Sequence, residues 1–401
     1  MRDTQTLNGS VKMKVLFMEI FYWFGWSFGT YQTVYLQNNG MDSSYIGILN
    51  AISSIVAIIA MTFWGIISDK MNSIKKTLIM ALLAAMVLFG SIGFLPASAS
   101  FAPIMFLIYC PIANFAKGSL GTLIDNFTVR SCTQNGLNYG INRGIGSFTY
   151  TIGCLLLSLV LVPLTGVKYT FMMYAIAAVP GLLFIFSIPD PKVEQKKKAA
   201  KLNPKELFKN YYYVTFLIFV FIAYIPLNCE FGFVSYLMEA RNVSLDSFGV
   251  VCALRAVTEV PILFIMNPLR KRFKLKYIMI AGISVLLVES LLTAFFAHSL
   301  LTVSLITSLV GIGNGILIGT TSNYLYKLAP EHLKATAHTL YGAVTAIAAF
   351  VGSLAGGFAF KYLGATRFYI VLFALYLTAI IFFILSIVLY KGRANPGDSL
   401  D

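Results

Sequence analysis

Long apolar runs separated by short polar or basic breaks dominate the chain. At about 20 residues per crossing, they predict transmembrane helices over about 15–36, 45–67, 78–95, 101–129, 141–162, 169–188, 211–237, 248–269, 277–297, 302–326, 336–360 and 368–390. Two uncharged stretches, 77–116 and 290–326, are each too long for one crossing. A polar break interrupts each of them, Pro96 to Ser100 and His298 to Leu300, so each reads as two spans. An even number of spans places both termini on one side of the membrane.

The longest hydrophilic connection, 189–210 (PDPKVEQKKKAAKLNPKELFKN), divides the spans into six and six. The expected organisation is a six-helix bundle over 1–188, a linker over 189–210, a second bundle over 211–391 and a tail over 392–401. The halves repeat one order. Each has a basic loop after its second span (69–76 and 270–276), then a polar loop leading into a fifth span rich in small residues (143–155 and 336–357). Such weak internal symmetry is expected of a transporter built from two related bundles. The expected fold class is therefore an all-α membrane protein with twelve transmembrane helices in two pseudo-symmetric six-helix bundles. In the fifth spans, Gly144 to Ser147 and Gly352 to Gly357 let helices approach closely, as simple packing or as a moving contact.

Composition sharpens this picture. Of 401 residues 58% are hydrophobic and 11% charged, with a mean hydropathy of +0.78, whereas soluble domains carry about 25% charged residues. No sizeable soluble domain fits between the spans, so function must reside within the membrane. With the N-terminus inside, the cytoplasmic segments collect Lys70, Lys75, Lys76, Lys196 to Lys198 and Arg270 to Arg272, while the outer loops hold Lys168, Arg241, Lys361 and Arg367. That asymmetry predicts a plasma (inner) membrane protein with both termini cytoplasmic. The net charge of +14 is then accounted for by basic loops against anionic head groups, with no nucleic-acid partner. Five single cysteines read as packing residues rather than a disulfide framework. The polar start, MRDTQTLNGSVKMK, runs into a long span, and no removable signal peptide is expected.

A charge in mid-bilayer costs about 2.5–3.5 kcal/mol on insertion scales, so each one present needs a partner, water or a task. The candidates are Glu19, Asp125, Glu230, Glu259 and Glu289 among the acids, and Lys117, Arg143 and Arg255 among the bases. The acids outnumber the bases, so internal pairing cannot neutralise them all. Arg255 and Glu259, four apart, share a helical face and read as a local ion pair or as a binding pair. Lys117 and Asp125 roughly share a face but lie about 12 Å apart along an ideal helix, so each needs another partner. Arg143 either snorkels to the cytoplasm or, with Tyr150 seven residues on, presents a cation and a ring to one cavity. Glu289 has apolar neighbours on both sides and no base within a turn.

The loop after the second span reads Gly65-Ile-Ile-Ser-Asp69-Lys70, with Lys75 and Lys76 following. It resembles the G-x-x-x-D-R/K signature of the major facilitator superfamily, which implies a conformational gate at Gly65, Asp69 and Lys70. Asp125, then Tyr139-Gly140-Ile-Asn-Arg143, Gly146 and Tyr150 resemble the group of proton-coupled oligosaccharide and nucleoside symporters that includes lactose permease. There the same spacing joins a glutamate, an arginine and a tryptophan around the sugar. The resemblance implies that Asp125 and Arg143 hold hydroxyls, that Tyr150 stacks, and that Glu259 binds sugar. Lys334 to Ala337, Tyr341, Leu354 to Gly357 and Tyr362 to Gly364 extend the likeness.

The departures are equally specific. The ninth span carries Glu289 where lactose permease has an arginine, and the tenth, GIGNGILIGTTSN over 311–323, has no ionisable side chain. The proton site is therefore not carried over; Asn314, Asn323 and Glu230 are further candidates for substrate, and Glu289 or Glu259 for the coupling proton. The chain has neither HExxH nor GxSxG, and its histidines sit at span ends, which leaves an intramembrane enzyme without its parts. Single charges scattered over several helices suit an occluded cavity better than a pore. The sequence thus predicts a non-enzymatic, monomeric secondary transporter without cofactor that moves a small polyhydroxylated solute by alternating access with a proton, sodium remaining open. A nucleoside symporter and a cation or drug antiporter are the alternatives.

Overall fold

Apolar segments in lipid satisfy their backbone only as helices or closed barrels, and the described residues of this chain are helical, with no strand among them. The computed structural model describes residues 2–191, 204–390 and 397, with the backbone alone for 2–10 and 204. The basic run 196–198, most of the 189–210 linker and the 392–401 tail except Gly397 lie outside them. In order, the main helices are α1 (Arg2–Ser27), α2 (Ser43–Met71), α3 (Ile74–Gly90), α4 (Ala102–Lys117), α5 (Leu120–Asn135), α6 (Tyr139–Leu156), α7 (Thr170–Ser187), α8 (Tyr211–Ala240), α9 (Phe248–Arg272), α10 (Leu275–Phe296), α11 (Leu300–Thr307), α12 (Leu309–Leu328) and α13 (Lys334–Leu389). By length and hydropathy, ten helical stretches among the described residues can cross a membrane. Large apolar side chains on their outer faces, such as Val87, Ile104, Leu164 and Val388, are exposed, as lipid contact requires.

Local chemistry sets the breaks. The predicted 101–129 span is two helices, α4 and α5, parted at Gly118 and Ser119. Gly136 closes α5 in the left-handed conformation (φ 64°), the usual role of glycine after a helix. Asn138 then caps α6 by accepting from the Ile141 amide at 3.2 Å. The predicted 302–326 span is likewise divided, into α11 and α12. The predicted spans 336–360 and 368–390 join into the 56-residue run α13, interrupted only at Gly364 (φ 72°, ψ 170°). A side chain at that φ would be strained, so a single glycine replaces the expected loop.

The chain forms two compact units. Unit 1 comprises Met1–Met41, Ile52–Gln195 and Asp246–Ala253; unit 2 comprises Asp42–Ala51, Lys196–Leu245 and Leu254–Asp401. In unit 1, α1 packs on α6 and α7, and α3 on α4 and α7. Phe17 and Phe21 of α1 stack on Phe184 at 5.4 and 5.7 Å. In unit 2, α8 packs on α13, and α10 on α12 and α13. The small residues of the two fifth spans play matching parts. A Cβ on Gly146 or Gly153 would strike Trp23 or Ser27 of α1, and one on Gly352 or Gly356 would come within 2.6 Å of the Ile225 carbonyl or 2.7 Å of Cys229 Sγ in α8. Each fifth span thus receives the first helix of its own half.

The glycines of the tenth span are also packing positions. Gly311 and Gly315 admit α9, whose Arg255 and Glu259 carbonyls lie against them, and Gly313 admits Leu286 of α10. In unit 2 the beginning of α2 lies on α13: Ser43 Oγ donates to the Gly357 carbonyl at 3.0 Å, and Lys361 Nζ meets Asp42 Oδ2 at 2.8 Å. In unit 1, Tyr31 and Ser158 hydroxyls both donate to the Asp246 carbonyl at 2.7 Å.

Candidate functional site

In unit 1, α5 and α6 bring Asp125 and Arg143 together, Nε to Oδ1 at 3.4 Å. Neither is sealed away: the side chains are 39% and 32% exposed, so both retain donor and acceptor capacity for a ligand. The Tyr139 hydroxyl donates to Asp125 at 3.3 Å, and Arg143 Nη1 donates to Ser147 Oγ at 2.8 Å. The guanidinium lies 3.9 Å from the ring centre of Trp23 on α1. Such a cation–ring stack holds a planar guanidinium flat.

Trp23 is itself fixed. Its Nε1 donates to Glu19 Oε2 at 2.7 Å, the other Glu19 oxygen accepts from Thr128, and the face of Trp23 toward α6 rests on Gly146. The ring beside Arg143 is therefore Trp23, while the Tyr150 hydroxyl meets Thr30 at 3.3 Å. Sequence reasoning marked Glu19 only as a buried charge and passed over Trp23. The one signal for them was their i, i+4 spacing on α1; their approach to α6 is tertiary.

Lys117, expected to need a partner other than Asp125, enters an aromatic cage. Its ammonium lies 4.0 Å from the Phe89 ring centre, 4.9 Å from Trp26 and 5.6 Å from Tyr174, and donates to the Gly29 carbonyl at 3.4 Å.

In unit 2, Asn314 of α12 donates to Glu259 Oε2 of α9 at 3.0 Å; both are partly exposed. Asn323 instead donates to the Gly319 carbonyl of its own helix at 3.0 Å. Thr321, Tyr341 and Tyr224 form a hydroxyl row at 3.1 and 2.9 Å. Arg255 reaches α8, where Nη1 donates to the Glu230 carbonyl at 3.1 Å. Glu230 and Glu289 are both fully buried. Tyr376 donates to Glu230 Oε2 at 3.0 Å and Thr293 to Glu289 Oε1 at 2.8 Å.

Gly65, Asp69 and Lys70, expected in a loop, belong instead to the last turns of α2, because the helix runs on to Met71; Asp69 and Lys70 are exposed there and Gly65 has open space where a Cβ would stand. Ser73 caps α3, accepting from the Lys76 amide at 3.0 Å and donating to Asp190. Lys75 donates to the Phe186 and Ile188 carbonyls at 2.7 and 2.6 Å. A lysine on the last carbonyls of α7 both satisfies them and complements the helix dipole.

A sequence model of the MFS_1 like family matches residues 11–371. The uncharacterised transporter YwbF of Bacillus subtilis (strain 168) is 25% identical over 336 residues, 82% of this chain and 81% of that protein. The maltose permease of Geobacillus stearothermophilus is 22% identical over 356 residues, 87% of this chain and 88% of the permease. Among solved structures, a mutant of the nucleoside transporter NupG superposes with a TM-score of 0.81 at 15% identity, covering 94% of this chain and 99% of that one. At that identity the likeness is one of fold.

Proposed function

The chain belongs to the MFS_1 like family, and from that premise we propose that it is a secondary transporter for a sugar, oligosaccharide or glycoside, working by alternating access and driven by a proton. The observation that carries the reading is the half-open Asp125–Arg143 pair stacked on Trp23. Carboxylate and guanidinium make charge-assisted hydrogen bonds to hydroxyls, and the indole offers an apolar face of the kind a pyranose ring covers. Glu259 and Asn314 supply a second acceptor and donor set in unit 2. A permease for maltose among the relatives favours the same solute class.

Asp125, Arg143, Trp23, Glu259 and Asn314 hold substrate in this reading, with Tyr150, Asn323 and Glu230 as outer candidates. Gly65, Asp69 and Lys70 gate the conformational change, and the coupling proton is carried by a carboxyl of the C-terminal half, Glu289 or Glu259. The protein sits in the plasma membrane with both termini in the cytoplasm, as the distribution of basic residues argues, and the 1–188 and 211–391 halves are its moving bundles.

A nucleoside is the second reading, favoured by the Trp23 ring beside a donor–acceptor pair. Proteoliposome counterflow with labelled maltose, other disaccharides and uridine separates the two. Counterflow by a sugar that is lost in Arg143→Ala supports the first, uridine counterflow with no sugar response replaces it with the second, and tight binding of hydrophobic cations alone defeats both.

A further inference from the structure

Glu230 on α8 and Glu289 on α10 are fully buried, and their carboxyl groups act on each other. We propose that they form a single proton site, a carboxyl pair sharing one proton, and that the pair, rather than either acid alone, is the ion-coupling element. This rests on the proton-driven reading above.

Donor counting leads to the same place from another side. One oxygen of each carboxyl is occupied, by Tyr376 on Glu230 and by Thr293 on Glu289. The remaining two, Glu230 Oε1 and Glu289 Oε2, are buried with no donor. A carboxyl-to-carboxyl hydrogen bond needs a proton on one partner, and one proton between these oxygens satisfies both. Charge counting agrees. The groups facing the pair are Arg255 from α9, Tyr369 and Tyr376 from α13, and Cys229 from α8. One guanidinium balances one carboxylate, so the cluster is neutral with one proton and carries an uncompensated buried charge with none or two. Leaving a charge unpaired in such surroundings is costly. A sodium ion fits less well: the Tyr376 and Thr293 hydroxyls are turned to the carboxyls as donors, and the site already holds a guanidinium.

Arg255 offers a route from the proton to the solute. Its Nη1 is held by the Glu230 carbonyl, but Nε and Nη2 are buried without partners. Once the shared proton leaves, those two N–H donors are the groups at hand for a doubly charged pair. Arg255 stands one turn before Glu259 on α9, so its movement toward the pair is transmitted along the helix that carries the Glu259–Asn314 contact.

Infrared titration of the purified full-length protein in nanodiscs tests the pair without any solute. The parent should show a protonated-carboxyl band that disappears with loss of one proton per chain as pH rises. Glu230→Gln and Glu289→Gln should each abolish that whole band, because Arg255 keeps the remaining carboxyl ionised. In proteoliposomes both variants should lose accumulation on a pH gradient of whichever probe the parent carries, maltose or uridine, and Glu289→Gln should retain its exchange. A band that survives Glu230→Gln, with pH-driven accumulation intact, would overturn the pair and leave Glu289 acting alone. Accumulation by the parent on a sodium gradient but not a pH gradient would overturn it too. If a glutamine variant does not fold, Glu230→Asp and Glu289→Asp, which keep both carboxyls, decide: each should shift the band, and a band left unmoved by Glu230→Asp would overturn the pair. Failure of the parent to carry either probe would count against the solute reading, while the band still answers for the pair.

Discussion

Gly146→Ala is the sharpest probe of how the candidate site is held. A methyl at Gly146 would sit 3.0 Å from Trp23 Nε1 and 3.1 Å from Glu19 Oε2, and nearer still to Trp23 Cδ1. Ordinary carbon contacts lie at about 3.5–4.0 Å, so the indole must move, and with it both its 2.7 Å bond to Glu19 and the guanidinium stacked 3.9 Å from it. Overpacking of this kind costs about 1–3 kcal/mol of stability. Losing the stack under a partly exposed arginine costs about 0.5–2 kcal/mol, which at 1.4 kcal/mol per decade lowers solute affinity roughly 2- to 30-fold. Titration calorimetry of maltose or uridine, whichever the parent binds, reads the second quantity, and the melting temperature reads the first. Gly342→Ala, where a Cβ meets open space, should change neither. Adding Trp23→Leu to Gly146→Ala should restore melting but not affinity, since the clash goes and the stack does not return. If Gly146→Ala binds solute as tightly as the parent, Trp23 does not position Arg143 and the account of the site is wrong.

Three further outcomes follow from the same geometry. Arg143→Lys keeps the charge but not the planar fork that meets Asp125, Ser147 and Trp23 together, so solute affinity should fall at least about tenfold, and full affinity in the lysine variant would count against hydroxyl recognition by the guanidinium. Gly311→Val drives a side chain into the Arg255 carbonyl, which cannot yield, and should exceed the usual cost of about 1–3 kcal/mol for overpacking, whereas Gly319→Ala meets a side chain, the buried Met266 at its Cγ, 2.5 Å away, and should lower the melting temperature less than Gly311→Val does. Burial alone would raise the Asp42 pKa, but Lys361, the Ser44 hydroxyl and the Tyr45 amide lower it from 3.8 to about 2. Its stabilising contact is complete above the ordinary value and is lost only as pH falls through about 2, so Asp42→Asn should lower the melting temperature by the same amount at pH 5 and pH 8; a difference that grows across that range would refute the assignment.

Hydropathy alone determined that this chain is a membrane protein of helices, because lipid leaves a spanning backbone few other ways to satisfy its hydrogen bonds. The repeat of a basic loop and a small-residue fifth span was also legible, since glycine spacing survives as a packing requirement: Gly146 and Gly356 each receive the first helix of their half. Helix ends were less legible. Whether a glycine bends, breaks or merely admits a neighbour depends on what packs beside it, which is why Gly364 turns one run without a loop while Gly311 to Gly315 lie inside an unbroken helix.

The charged residues divide in the same way. Asp125 and Arg143 were nominated together by the family resemblance and do meet, because a short turn joins their two helices. Partners on distant helices could not be read along the chain. Arg255 shares a helical face with Glu259 but also reaches the Glu230 carbonyl of α8; Glu289 has no polar neighbour within a turn before it and finds Glu230 from α8; and Trp23, unremarkable as one more aromatic, lies under Arg143. Local periodicity specifies which face of a helix a side chain occupies. Only the packing of that face against another helix decides which polar group meets it, and in a low-dielectric interior that meeting determines what the group can do.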